Sequence, residues 1–271
     1  MTGHADRLVS VCLHGNRRVV EKCYLTADGD EVFRSMVALW RSPFGRMRSV
    51  PAMPEPIAQS DHTVVMSHID GEARWYRGDP GRTEEISAQC AGLLADLHNS
   101  GVTVGRRRDA DQLVGSLTRK VEAQRASGSC VYGPYRAAVD RLGELPRGTE
   151  QLVVSHGDFW PGNVLATADG PVLIDFDRLQ MASPALDVSY WAAWRWATDL
   201  MSGREPDWSA SDGFAHAYRR RVSPSVAAEL EADLAFHRAA GLLRIASQSR
   251  AQRQPDLALQ IISEAAHQLS R

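Results

Sequence analysis

His156-Gly157-Asp158-Phe159-Trp160-Pro161-Gly162-Asn163 is the densest polar stretch of the chain, and the next hydrophobic run, Pro171-Val172-Leu173-Ile174, ends in Asp175-Phe176-Asp177. The flanking residues have strand character: Gln151-Leu152-Val153-Val154 precedes the stretch, Asn163-Val164-Leu165 closes it, and Asp169-Gly170 makes a turn into the hydrophobic run. Loops held by strands are where catalytic groups concentrate. Carboxylates at 158 and 175 and an amide oxygen at 163 supply ligands for a hard cation and one spare base, the set that phosphoryl transfer from a magnesium nucleotide needs. His-Gly-Asp alone is a common tripeptide. Its meaning comes from Asn five positions on and a strand that ends in Asp-Phe.

Outward from this centre the texture changes twice. Leu8 to Leu13 and Val19 to Leu25 are β-rich runs around Gly15-Asn16, a hairpin signal. Val32, Phe33, Met36, Val37, Leu39 and Trp40 follow at helical spacing, with Pro43 to end the helix, and Thr63-Val64-Val65-Met66 is a further strand. A boundary is expected near Asp70-Gly71. Beyond it Ile86, Cys90, Leu93, Leu94 and Leu97 share one helical face, and Leu113, Leu117 and Val121, then Tyr135, Val139 and Leu142, mark two more helices. After Pro184 the pattern is helical, with Ser223-Pro224 as N-cap and first residue of a long helix. The expected division is therefore residues 1–70, a nucleotide-covering β-sheet with one helix, and residues 71–271, a helical lobe with the catalytic loop and acceptor site.

Composition narrows the function classes. The chain has 271 residues, 44% hydrophobic and 24% charged, enough for a sizeable core. Its net charge of −2 gives no basic field for nucleic acid, and no apolar run is long enough for a membrane span, so a soluble, cytoplasmic protein with no nucleic-acid or membrane partner is expected. Cys12, Cys23, Cys90 and Cys130 are scattered without a C-x-x-C pair, which speaks against structural zinc or a disulfide framework. Neither G-x-G-x-x-G nor G-x-x-x-x-G-K-[ST] occurs, so Rossmann and P-loop sites are unsupported.

At His156-Gly157-Asp158, Asn163 and Ile174-Asp175-Phe176 the sequence resembles the aminoglycoside phosphotransferase and choline kinase family, small-molecule kinases with a protein-kinase-like fold. The resemblance implies an α+β, two-lobed fold with a shortened β-rich N-lobe and a mainly helical C-lobe. It implies ATP, or GTP, with Mg2+ as cofactors bound between the lobes, and a small-molecule hydroxyl acceptor such as an antibiotic, amino alcohol or sugar. Asp158 would be the catalytic base, Asn163 and Asp175 would hold the metal, and His156 would brace the loop. Ala182-Ser183-Pro184-Ala185-Leu186-Asp187 is similar to a family loop that ends in Asp, so Asp187 would support the catalytic loop by hydrogen bonding. By the same resemblance Lys22 would contact the nucleotide phosphates with Glu31 as its ion-pair partner, and Ser67, His68 and Ile69 would receive the base.

One departure concerns the N-terminus. These kinases place a strand and a phosphate-covering loop before the Lys strand, yet few residues precede Lys22, so either the Gly15-Asn16 turn substitutes for that loop or the loop is absent. Tyr190, Trp191, Trp194 and Trp196 lie where the family builds its acceptor site, at a spacing more typical of core packing. Asp199, Asp207 and Trp208 give a weak lean to a cationic acceptor. Arg106-Arg107-Arg108 reads as a solvated loop, His237 as a core or rim histidine, and Asp177 is left outside the metal set. Two other functions compete: a non-catalytic nucleotide-binding regulator with the same fold, and a metal-dependent phosphohydrolase, for which the histidine ligands are lacking.

Overall fold

A computed structural model describes all residues except 1, 5–6, 26–28, 47–50, 146–150, 249–252 and 271, with 2–4 and 46 as backbone only. The chain runs β1 (Thr2–His4), β2 (Arg7–His14), β3 (Arg17–Tyr24), α1 (Gly29–Trp40), α2 (Pro43–Arg46), β4 (Pro56–Ser60), β5 (Thr63–Ser67) and α3 (Pro80–His98). It continues through α4 (Ala110–Ala126), α5 (Tyr132–Glu144), β6 (Val153–Ser155), β7 (Val164–Thr167), β8 (Gly170–Leu173) and β9 (Gln180–Ala182). Helices α6 (Ala185–Met201), α7 (Ser209–Arg219), α8 (Pro224–Ala246) and α9 (Pro255–Gln268) follow.

Packing divides these elements into two units, residues 1–104 with 162–179, and residues 105–161 with 180–271. The grouping differs from the division at 70 and 71 because contacts, not chain order, define it. Glu72 and Ala166 exchange backbone hydrogen bonds of 2.9 and 3.1 Å, and the buried Trp75 donates through Nε1 to the Val164 carbonyl at 2.9 Å. A β-carbon on Gly71 would lie 2.9 Å from Leu165 Cβ, so glycine permits this approach to β7.

The first unit carries an antiparallel sheet in the order β1-β2-β3-β5-β4. The hairpin at Gly15-Asn16 forms as its sequence predicts, with Gly15 at φ +61° and a register from His14 opposite Arg17 to Arg7 opposite Tyr24. Helix α1 buries Val32, Met36 and Leu39 and packs against β4 and β5, so its apolar spacing is spent on this sheet. Strands β1 and β4 are additions to the sequence reading, and each is short or interrupted: β4 has an irregular register between Pro56 and Ala58.

The second unit is helical around a core that includes Leu113, Leu117, Tyr135, Val139, Tyr190, Leu242, Leu243 and Ile261. The Ser223-Pro224 cap forms as the sequence predicts, Ser223 Oγ accepting from Val226 N–H at 3.3 Å, and on α4 Asp109 with Gln112 adds a reciprocal capping box. Strand β6 pairs with β9 from Val153 opposite Ala182 to Ser155 opposite Gln180, which fixes the chain entering the His156 loop.

His237 is buried in α8, and burial pushes its imidazole down to about 4, against weaker upward pulls from Asp233 and Asp187 and a downward push from Arg108. The unfolded chain takes up this proton near pH 6.5 while the folded chain does not until about pH 4. Stability is therefore expected to be complete above pH 6.5 and to fall by up to about 3 kcal/mol as the pH drops to 4. Urea midpoints across that range should show the fall in wild type and a flatter profile in His237→Asn; parallel profiles would contradict it.

Candidate active site

In the second unit the His156 loop is organised by one buried carboxylate. Asp187, fully buried near the start of α6, accepts from Ser155 Oγ at 2.8 Å and His156 N–H at 2.7 Å on Oδ2, and from Gly157 N–H at 2.9 Å on Oδ1. Three donors are satisfied by one anion, each bond strengthened by its charge. Gly157 turns the chain at φ +74°, a conformation that glycine adopts without a Cβ penalty. Phe159 anchors the far side, buried against Trp191 at 5.2 Å between ring centroids.

Asp158 emerges from this frame and meets Arg244, near the end of α8. Arg244 donates from Nη2 to Asp158 Oδ1 at 2.5 Å and from Nη1 to the Gly157 carbonyl at 2.9 Å, and its guanidinium lies over the Tyr190 ring at 4.0 Å. A planar fork that engages a side chain and the preceding carbonyl together fixes direction as well as charge, which an ammonium cannot do. Sequence reading missed Arg244: nothing local marks a residue 86 positions from its partner.

Several aromatic residues of the expected acceptor region belong to the core. Trp191, Trp196 and Tyr190 are buried, while Trp194 is half-buried and stacks on Trp160 at 4.4 Å. Asp199 pairs with Arg204 at 2.8 Å, Asp207 accepts from the Ser209 amide at 2.8 Å, and Arg238 covers the Trp208 ring at 4.9 Å.

In the first unit, the β7–β8 hairpin brings two expected metal ligands onto adjoining segments. Val164 pairs with Leu173, and Ile174 N–H donates to the Asn163 carbonyl at 2.9 Å, so Asn163 enters the hairpin where Asp175 leaves it. Asp175 takes φ +67°, ψ +66°, a left-handed conformation uncommon outside glycine and a form of strain that recurs at functional sites. Lys22, buried on β3, donates to Asp175 Oδ1 at 2.6 Å and Asp177 Oδ1 at 2.5 Å, and Tyr24 donates to Asp177 at 2.6 Å. Asp177 is thus as central as Asp175, although its sequence position at a strand end is ordinary. Glu31 lies half-buried in the first turn of α1, and the ion pairs that define the cluster join Lys22 to the two aspartates. Asn163, Asp175 and Asp177 offer oxygen donors only, which suits a hard divalent cation.

Ser67 ends β5, with its N–H on the Glu55 carbonyl at 2.9 Å and its Oγ accepting from Glu55 N–H at 2.8 Å; His68 N–H reaches the Arg18 carbonyl at 3.3 Å, and Ile69 follows half-buried. The sheet face that carries Lys22 also presents Val11, directly opposite Val20, with Val11 55% exposed.

The sequence profile of the phosphotransferase enzyme family matches residues 26–229, and the chain belongs to that family. No curated protein matches the sequence. Among solved structures, choline kinase from Cryptosporidium parvum Iowa II is similar with a TM-score of 0.65 at 12% identity, over 98% of this chain and 90% of that one. Choline kinase LicA from Streptococcus pneumoniae gives 0.60 at 13%, over 99% and 92%. Spectinomycin phosphotransferase, in complex with ADP and spectinomycin, gives 0.58 at 13%, over 97% and 87%. At these identities the likeness establishes the fold, the α+β kinase-like architecture with a small antiparallel sheet and a helical part. Among the described residues no helix is long and apolar enough to cross a membrane.

Proposed function

We propose that the protein transfers the γ-phosphoryl group of ATP to a hydroxyl of a small molecule, with Asp158 as the base. The observation that carries this is the pairing of Asp158 with Arg244 on a loop whose amides are gathered by Asp187. A carboxylate so held accepts a hydrogen bond from an acceptor hydroxyl, aims its oxygen and takes its proton late in a loose, in-line transfer. In the first unit Asn163 and Asp175 would hold magnesium, with Asp177 beside them, and Lys22 would turn from the aspartates to the phosphates. The metal would neutralise charge on the phosphate oxygens. Ser67, His68 and Ile69 are proposed to border the base, with Val11 and Val20 against its face. GTP fits the same chemistry.

Two variants test the parts separately. Asp175→Asn should abolish the magnesium-dependent share of thermal protection by ADP, and an unchanged metal dependence would remove Asp175 from the metal set. Arg244→Lys keeps the charge but loses the two-pronged geometry. It should lower kcat by roughly tenfold to a hundredfold with ADP affinity unchanged; wild-type turnover in this variant would mean that the fork does not position Asp158.

A further inference from the structure

We infer that Arg7 is a second phosphate-binding cation beside Lys22; this rests on the nucleotide site proposed above. The hairpin register sets the Gly15-Asn16 turn far from Lys22. Lys22 is opposite Val9, and the turn lies six residues further along the strand, about 20 Å away at ~3.3 Å per residue. The end of β2 near the aspartates is the other one, where Arg7 pairs with Tyr24.

Alternation places Arg7, Val9, Lys22 and Tyr24 on one face of the sheet. From there the Arg7 guanidinium reaches Asp175 Oδ2 through Nη2 at 3.3 Å and Asp177 Oδ2 through Nη1. Lys22 holds the opposite oxygens, Oδ1, of the same two carboxylates. Two cations from neighbouring strands thus converge on two carboxylates, and Arg7 does so with its side chain only 19% exposed. A guanidinium matches phosphate oxygens as it matches carboxylate oxygens, in a planar fork. When a divalent cation takes the aspartates, Arg7 and Lys22 are left beside the anion that the cation carries. A covering loop supplies backbone N–H donors to phosphates; Arg7 supplies side-chain donors with a full charge.

Calorimetric titration of wild type, Arg7→Gln and Arg7→Lys with adenosine, AMP, ADP and ATP, each with and without magnesium, tests this. Arg7→Gln should weaken ADP and ATP about tenfold or more and leave adenosine unchanged, with Arg7→Lys between. Equal losses for adenosine and ATP would overturn the inference, as would unchanged ATP affinity or tighter ATP binding, the last marking Arg7 as an obstruction. Wild type that binds ATP alongside a variant that binds it equally well defeats the Arg7 role alone. Wild type that binds neither ADP nor ATP defeats the nucleotide site itself. Should Arg7→Gln fail to fold, Arg7→Lys decides through its ATP-to-adenosine affinity ratio, which a phosphate-binding role lowers.

Discussion

Asp158→Asn is expected to lower turnover by about 10²- to 10⁴-fold, the range for loss of a positioned general base. Asparagine keeps the shape and can still accept from Arg244, whose 2.5 Å bond to Oδ1 would become a neutral-acceptor bond. It cannot take a proton from the acceptor hydroxyl. The fold should survive, because the bonds that Asp187 accepts come from Ser155 Oγ, His156 N–H and Gly157 N–H, which the substitution leaves in place. ADP affinity should survive as well, since Lys22, Asp175 and Asp177 form their own cluster. Steady-state kinetics paired with ADP titration separates these effects.

Asp187→Ala should be the most damaging single change to stability. It strips Ser155 Oγ, His156 N–H and Gly157 N–H of their acceptor, and all three residues are buried. Each unsatisfied buried donor costs about 1–3 kcal/mol, so the total is comparable with the whole stability of a typical domain, about 5–15 kcal/mol. Asp187→Asn should be milder but still destabilising, because its amide NH2 faces a donor. Urea unfolding followed by tryptophan fluorescence measures both. An alanine variant within about 1 kcal/mol of wild type would show that the loop holds its shape without this anion.

How much of this was legible in sequence depended on distance along the chain. The hairpin at Gly15-Asn16, the Ser223-Pro224 start of α8 and the turn at Asp169-Gly170 follow from local preferences, and each occurs where the sequence puts it. The residues of the His156 loop and the aspartate after β8 were legible because the motif itself is local. Asp187 was legible only through a family likeness, and its three bonds give that likeness a physical cause. Arg244 and Arg7 were not legible, since an arginine carries no mark of a partner 86 or 170 positions away. Asp177 was passed over for the opposite reason, as a polar residue closing a strand needs no function to explain it. Asp199 and Asp207 have local partners, Arg204 and the amide of Ser209, that sequence spacing alone does not mark.

The phosphotransferase assignment is tested most directly by ADP release across a panel of hydroxyl-bearing acceptors, including aminoglycosides, choline-like alcohols and sugars, with wild type and Asp158→Asn in parallel. Acceptor-dependent ADP from wild type that disappears in the variant is the predicted result. Undiminished release from Asp158→Asn would contradict the role of Asp158, and ATP protection against unfolding with no turnover on any acceptor would favour a nucleotide-binding regulator.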